Sequence, residues 1–417
     1  MPPTSSPPRQ LASLLTITIA AALLFPVAAN STSTHKPTKK HKPTTTQTDD
    51  APDLVTYGRR EDVMRFADEV AQRREFDPQW VRAALAKARY VPSVARFIMP
   101  PPAGTAKNWA AYRARFVEPI RIRAGVAFWR ANETWLRRAE EVYGVPPEIV
   151  VGIVGVETIY GQQMGNFRVI DALATLAFDF PAGRKDRSEF FRSELENLLM
   201  LAHSEGLDPA APKGSYAGAM GMPQFMPSSF NRYAVDMDGD GHVDLQNSPA
   251  DVIGSVAHYL AEFGWQRGLP TRFEVAAPVD ASDRAVLLGP DILPSFTVRE
   301  FADRGARLGD GVMAMLGSLP APPALSAPTP SGSGSGSSAS SSALASAAGA
   351  SDAPLRNEPA PMKLALVELQ NGDAAPSYVA GTTNFYAITR YNWSSYYAMA
   401  VIDLGEAVAR ERARAPR

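Results

Sequence analysis

The chain has 417 residues, a formal net charge of -1, a pI near 6.6 and no cysteine. That length allows two or three modest domains with at least one sizeable core. The near-neutral balance offers no basic field to nucleic acid, and the missing thiols exclude disulfides, Cys-ligated metal sites, a thiol nucleophile and a lipid-modified cysteine anchor.

The chain opens with a polar stretch bearing Arg9, then an apolar run over 11–24, then Phe25-Pro26-Val27-Ala28-Ala29. The run is short for a bilayer span, and the small residues at its end suit a signal peptidase. Residues 1–29 therefore read as a signal peptide, with an uncleaved anchor as the alternative. The compartment expected is the periplasm. Residues 30–52 are Thr, Pro, Lys and Asp with almost nothing apolar, too little to fold, and read as a disordered spacer. Its lysines, Lys36, Lys39, Lys40 and Lys42, read as a solvated tether.

Residues 53–318 have globular patterning. A helix is expected from Pro146-Pro147 through the apolar run 149–156 to Glu157, buried on every side. A second is expected from Asp186, with Glu189 completing a capping box and Phe191, Leu195, Leu198, Leu199 and Ala202 on one face. A third should start at Ser248-Pro249, carry Ile253, Val256, Leu260 and Phe263, and stop at Gly264. Residues 271–275 and 296–298 read as short strands. Residues 319–360 collapse into Pro, Ala, Ser and Gly, a linker composition. Pattern returns in a strand over 362–369 and a final helix near 396–410, so the linker reads as an insertion within a domain. The fold class expected is mainly α (α+β): a helical core with a small β part.

Three features carry chemistry. Glu157 ends an apolar run, where a carboxyl resists ionising; a raised pKa is what a general acid needs, although a buried glutamate is more often structural. The stretch 214–229 is rich in glycine, with hydroxyls and aromatics between. Its glycines would let backbone approach a ligand, and Ser215 and Gln224 could hydrogen-bond a sugar; a tight loop before a helix is the plainer reading. Asp236-x-Asp238-x-Asp240-Gly241 has the spacing of a calcium loop, with the His242 carbonyl at position seven. Position twelve is Asn247 in place of glutamate. Asp251 could close a longer loop, or could simply complete a capping box with Ser248.

In this order, 155–158, 171–176, 214–229, the acidic loop, 253–257 and the late stretch 384–392 resemble the lytic murein transglycosylase B family, from about Tyr57 to the C-terminus apart from the linker. The resemblance implies a lysozyme-like helical core with a helical accessory domain and a small β domain. It implies cleavage of the MurNAc–GlcNAc bond of peptidoglycan with formation of a 1,6-anhydromuramoyl end. It matches the catalytic glutamate to Glu157 and cleft positions to Tyr112, Arg187, Ser215, Gln224, Tyr259, Tyr391, Asn392 and Tyr397. It matches calcium carboxylates to Asp236, Asp238, Asp240 and Asp251. Domain expectations follow: a helical accessory region over 53–106, a catalytic core over 107–267 and 376–417, and a β region over 268–318 and 361–375. The partner expected is the glycan strand, bound by a monomer. A lysozyme-type hydrolase would share the glutamate but need a second carboxylate or a positioned water, and a non-catalytic wall-binding protein would release no fragments.

Overall fold

The computed structural model describes residues 55–100, 107–309 and 362–414. The predicted signal peptide, spacer and linker lie outside them. Helices dominate, joined by a five-stranded and a two-stranded antiparallel sheet, so the expected mainly helical class holds. No described helix is long and apolar enough to cross a membrane.

After a 3-10 turn at Tyr57–Arg59 come α1 (Glu61–Arg74), α2 (Pro78–Ala86) and α3 (Pro92–Phe97). Next are α4 (Trp109–Ala114), α5 (Pro119–Ala131), α6 (Glu133–Tyr143) and α7 (Pro147–Thr158). A short strand β1 (Phe167–Arg168) precedes α8 (Val169–Phe178) and α9 (Ser188–Ser204) and pairs with β2 (Lys213–Gly214). Then follow α10 (Pro227–Tyr233) and α11 (Pro249–Glu262). The β part holds β3 (Arg272–Ala276), α12 (Ala281–Leu288), β4 (Phe296–Thr297), α13 (Val298–Asp303), β5 (Arg307–Leu308), β6 (Lys363–Asn371) and β7 (Ala374–Gly381). The chain closes with α14 (Thr383–Thr389) and α15 (Ser395–Arg414).

Two large cores stand behind these helices. One gathers α1, α2, α8 and α9 around Phe191, Leu195, Leu198 and Leu173. The other is built on α7, α11 and α15 around Ile153, Val256 and Val401. The five-stranded sheet, in order β4-β6-β7-β3-β5, joins the second core mainly through β6, with Val379 of β7 packed against the same core. Alternate side chains of a strand face opposite ways. Ala365, Val367 and Leu369 of β6 therefore enter the helical core, while Leu364 and Leu366 pack with Leu287 and Phe301 in the sheet's own small core.

The first helix expected from sequence matches α7, and the third matches α11, whose Ser248 hydroxyl accepts the Asp251 N–H. The second begins later than expected. The Asp186 carboxylate accepts the Ser188 N–H and hydroxyl, an Asx turn that stops short of Glu189, and the helix starts at Ser188 without a capping box. The buried face expected of α9 is present. The strand β7, with small and polar residues and Pro376 near its exposed start, has no clear sequence signal, and it carries the sheet to Gly381.

The packing of α7 on α15 depends on two glycines. A Cβ on Gly152 would strike the Val401 carbonyl, and one on Gly405 would strike the Glu148 carbonyl. Their bare backbones allow a close approach. The two helices that meet there carry Glu157 and Tyr397.

Candidate active site

Glu157 occupies the last turn of α7. Every residue from Ile149 to Val156 is buried, so the helix places the carboxyl at the end of an apolar rod. The helix then stops abruptly, with Ile159 and Tyr160 both in the left-handed region at φ 51° and 56°. That conformation is costly for a β-branched residue and persists where surroundings enforce it. Thr158 helps enforce it: its hydroxyl donates to the Met222 carbonyl at 2.8 Å and accepts the Gly161 N–H at 3.0 Å. Arg121, buried, donates to the Gly155 carbonyl at 2.9 Å and further braces the helix end. Neither Thr158 nor Arg121 stood out in the sequence, though a hydroxyl immediately after a candidate acid is a usable signal.

Burial pushes the Glu157 carboxyl up to about 7, against a weaker downward pull from Tyr397. The Tyr397 hydroxyl donates to Glu157 Oε1 at 2.6 Å, a bond that favours the ionised acid. Oε2 has no hydrogen-bond partner among the described residues. Around the acid stand tyrosines drawn from distant parts of the chain. The Tyr391 and Tyr397 rings stack at 6.1 Å and 13°, and Tyr259 lies 4.8 Å from Tyr391. Tyr391 donates to the Pro223 carbonyl and Tyr259 to the Arg390 carbonyl, so both hydroxyls are held. Burial raises both, with the nearby Glu157 charge adding to it. Tyr112 is pushed up to about 12 by burial and then by Glu157, and packs against Phe116 and Tyr396. These phenols stay neutral near pH 7 and form an aromatic wall about one carboxyl.

The glycine-rich stretch folds back on itself. Ser215 is buried, and its hydroxyl accepts the Ala219 N–H at 3.1 Å. Gln224 takes a left-handed backbone at φ 52°, and its side-chain NH2 donates to the carbonyls of Gly221 and Met164. The amide oxygen of Gln224 keeps no protein partner among the described residues. The buried Oδ1 of Asn392 also lacks one. Arg187 sits at the start of α9 with its guanidinium over the Phe190 and Phe191 rings, and burial lowers it to about 10.

The acidic loop lies between α10 and α11. Carboxylate oxygens of Asp236, Asp238 and Asp251 come within 4.8 Å of one another. Asp251 is buried in the first turn of α11 and reaches back, accepting the N–H groups of Met237 and Asp244. Its capping role is one-sided, because its carboxylate turns to the loop and away from Ser248. Burial raises Asp251, and the charges of Asp238 and Asp236 add to that. Asn247 bonds Asp244, which leaves closure of the loop to Asp251. Asp240 and His242 are exposed and outside the three-carboxylate group; Asp240 Oδ1 accepts the His242 N–H. Three hard oxygen donors gathered within 4.8 Å of one another fit a cation such as calcium.

The Transglycosylase SLT domain family matches residues 58–311 and 326–406. The chain is 37% identical over 364 residues to the membrane-bound lytic murein transglycosylase B of Escherichia coli K12, which spans 85% of each sequence. The soluble lytic transglycosylase SltB1 of Pseudomonas aeruginosa superposes with a TM-score of 0.66 at 36% identity, covering 84% of this chain and 99% of that one. The E. coli lytic transglycosylase Slt35, solved in complex with calcium, superposes with a TM-score of 0.62 at 35% identity over 85% and 94% of the two chains.

Proposed function

The chain belongs to the transglycosylase SLT-domain family and is a lytic transglycosylase of peptidoglycan, and from that premise we propose that Glu157 alone carries the reaction, as acid and then as base. One observation carries this reading. Glu157 stands at the end of a buried apolar helix, with the Tyr397 hydroxyl on its Oε1 at 2.6 Å and tyrosine rings around it. Glycosidases that employ water use two carboxylates across the scissile bond.

Protonated Glu157 gives its proton to the glycosidic oxygen as the bond to muramic C1 breaks. The sugar becomes oxocarbenium-like, and its 2-acetamido group shields C1. The Glu157 carboxylate, steadied by Tyr397, then takes the proton of the C6 hydroxyl while O6 bonds to C1. The glutamate ends protonated and no water is consumed. A nucleophile within the same ring is effectively concentrated, so a positioned water is unnecessary. Tyr112, Tyr259, Tyr391 and Tyr397 would border the sugars. The Gln224 amide oxygen and Asn392 Oδ1 would accept sugar N–H or O–H groups, and Ser215 would hold the loop that presents them. Arg187 is assigned to the substrate-binding side on the same reading.

Asp236, Asp238 and Asp251 would hold a structural calcium, with Asp240 and the His242 carbonyl as outer candidates. Calcium would supply positive charge that pins the loop to α11. The proposed working place is the periplasm, after export on residues 1–29. Residues 107–267 and 376–417 would form the catalytic core.

Mass spectrometry of fragments released from purified peptidoglycan tests the mechanism. Anhydromuramoyl ends from the wild type, lost in Glu157→Gln, are expected. Reducing ends would turn the reading to a hydrolase. Wall binding without release would turn it to a non-catalytic protein.

A further inference from the structure

The mechanism leaves one buried phenol unused. Tyr160 comes three residues after Glu157, where the chain reverses at the end of α7. Ile159 and Tyr160 hold consecutive left-handed backbones, at a cost that glycine would not incur. The Tyr160 N–H reaches back to the Val154 carbonyl at 3.3 Å, so the reversal wraps the helix end as a cap. A strained cap of this kind persists only where packing holds it, and the Tyr160 ring is placed to do so.

The ring lies in a slot made by two buried glycines, Gly125 on α5 and Gly155 on α7. A Cβ at either position would overlap the Tyr160 hydroxyl and crowd its ring. Val408 and Leu404 of α15 border the same two positions, so the slot is where three helices meet. Phe128 stacks on the ring at 5.1 Å and 30°. The hydroxyl is buried with no hydrogen-bond partner among the described residues. Burial raises its pKa, so the phenol stays neutral near pH 7. The slot therefore uses a flat, rigid shape and not a polar group. Gly155 is two residues before Glu157, and its carbonyl also accepts the Arg121 bond, so what fixes this glycine fixes the turn that bears the acid. We propose that Tyr160 is a positioning residue: its ring, wedged between Gly125 and Gly155, locks the end of α7 and so keeps the Glu157 carboxyl on the Tyr397 hydroxyl. The inference rests on the reading of Glu157 as the catalytic acid. Without the wedge the cap relaxes, the last turn of α7 shifts, and the 2.6 Å bond from Tyr397 is lost.

The test is a double-mutant cycle on the rate of peptidoglycan cleavage, pairing changes at Tyr160 with Tyr397→Phe. Tyr160→Leu stays apolar but loses the plane. Alone it should lower kcat by about tenfold, the scale of the Tyr397 bond, with KM within about twofold. In the Tyr397→Phe background the same change should cost less than about twofold, because the bond it acts through is already gone. Tyr160→Phe keeps the wedge and should hold kcat within about twofold in either background. If the leucine variant does not fold, Tyr160→Met, which fills the slot with a flexible chain, takes its place in the cycle. An equal loss from Tyr160→Leu in both backgrounds would mean ordinary packing, and no loss in the Tyr397-bearing enzyme would mean an idle wedge. A loss in Tyr160→Phe would mean that the hydroxyl matters, and a Tyr397→Phe enzyme as fast as the wild type would leave no bond to act through. Each of these results overturns the inference, and an inactive Glu157→Gln in the same assay leaves the cleavage reading intact. Cleavage by Glu157→Gln at the wild-type rate would overturn that reading, and the inference with it.

Discussion

The cleft and the acidic loop use the same functional group under opposite physics. At Glu157 one carboxyl stands among aromatic rings, and loss of water raises its pKa. In the loop three carboxylates converge, and several backbone N–H groups from the turn itself hold them. The first arrangement makes a proton available near neutrality. The second makes a concentration of negative charge that a cation would relieve. An acid becomes a catalyst where charge is made expensive, and a metal ligand where charge is gathered and supported.

The sharpest way to break this contrast is Glu157→Gln, which keeps shape and removes the proton. Cleavage should fall by about 10³-fold or more, near the upper range for a general acid. Melting should not suffer, and retained cleavage would remove Glu157 from the chemistry. Gly152→Ala attacks the same site from behind. Its Cβ meets the Val401 carbonyl, so α7 and α15 must separate, and Glu157 must move from Tyr397. Overpacking of this kind costs about 1–3 kcal/mol, and the misplaced acid should lower the rate by about 10²-fold. A crystal structure of the variant with unshifted helices would contradict that account.

Tyr397→Phe should cost about tenfold in kcat, since a charged hydrogen bond to the ionised acid is lost. It also has a directional signature. The wild-type acid works protonated, so kcat should fall as pH rises through about 7. Because Tyr397 lowers the Glu157 pKa, its removal should move that alkaline limb upward. A limb that moves downward would mean that Tyr397 favours the protonated acid instead.

Stability gives a gentler reading of the same charge. The Glu157 pKa is about 7 when folded and near 4.5 in its ordinary state. A raised acid costs stability as pH rises from the unfolded toward the folded value, so this cost is absent at pH 4 and nearly full at pH 8. Glu157→Gln should therefore match the wild type at pH 4 and exceed it at pH 8 by about 1–3 kcal/mol, allowing for the carboxyl's partial exposure. Denaturant titrations at the two pH values measure the difference.

The apolar run and its proline start made α7 and the place of Glu157 legible, because burial of a helix on all sides is written in consecutive residues. The tyrosine wall is not written that way. Tyr397 meets Glu157 across 240 positions, and only the family resemblance brought Tyr112, Tyr391 and Tyr397 to the same page. The loop was legible in part. Its spacing pointed to Asp236, Asp238 and Asp240, with Asp251 as the residue that could close a longer loop or simply complete a cap, and the three-carboxylate group holds Asp236, Asp238 and Asp251. Spacing alone could not choose between the two roles of Asp251, because the choice depends on the helix start folding back over the loop. β7 was unread for a related reason: its exposed first half lacks the alternation that marks a half-buried strand, and pairing with β6 supplies its order.

The smallest effects separate two kinds of ligand within the loop. Asp251 is buried and accepts the N–H groups of Met237 and Asp244, so it supports the loop before any cation arrives. An asparagine there keeps only one accepting oxygen and leaves one N–H unmet, at about 1–3 kcal/mol with or without calcium. Asp238 is exposed, and its closest bond is from the Ser248 hydroxyl at 3.1 Å. Asp238→Asn should therefore leave the calcium-free melting temperature nearly unchanged and reduce only the gain on adding calcium, by about 1–2 °C for a tenfold weaker site. Melting curves of both variants with calcium and with chelator make the comparison. If Asp238→Asn melts as the wild type does in saturating and in subsaturating calcium, Asp238 is not a ligand, and the loop's charge is gathered for another reason.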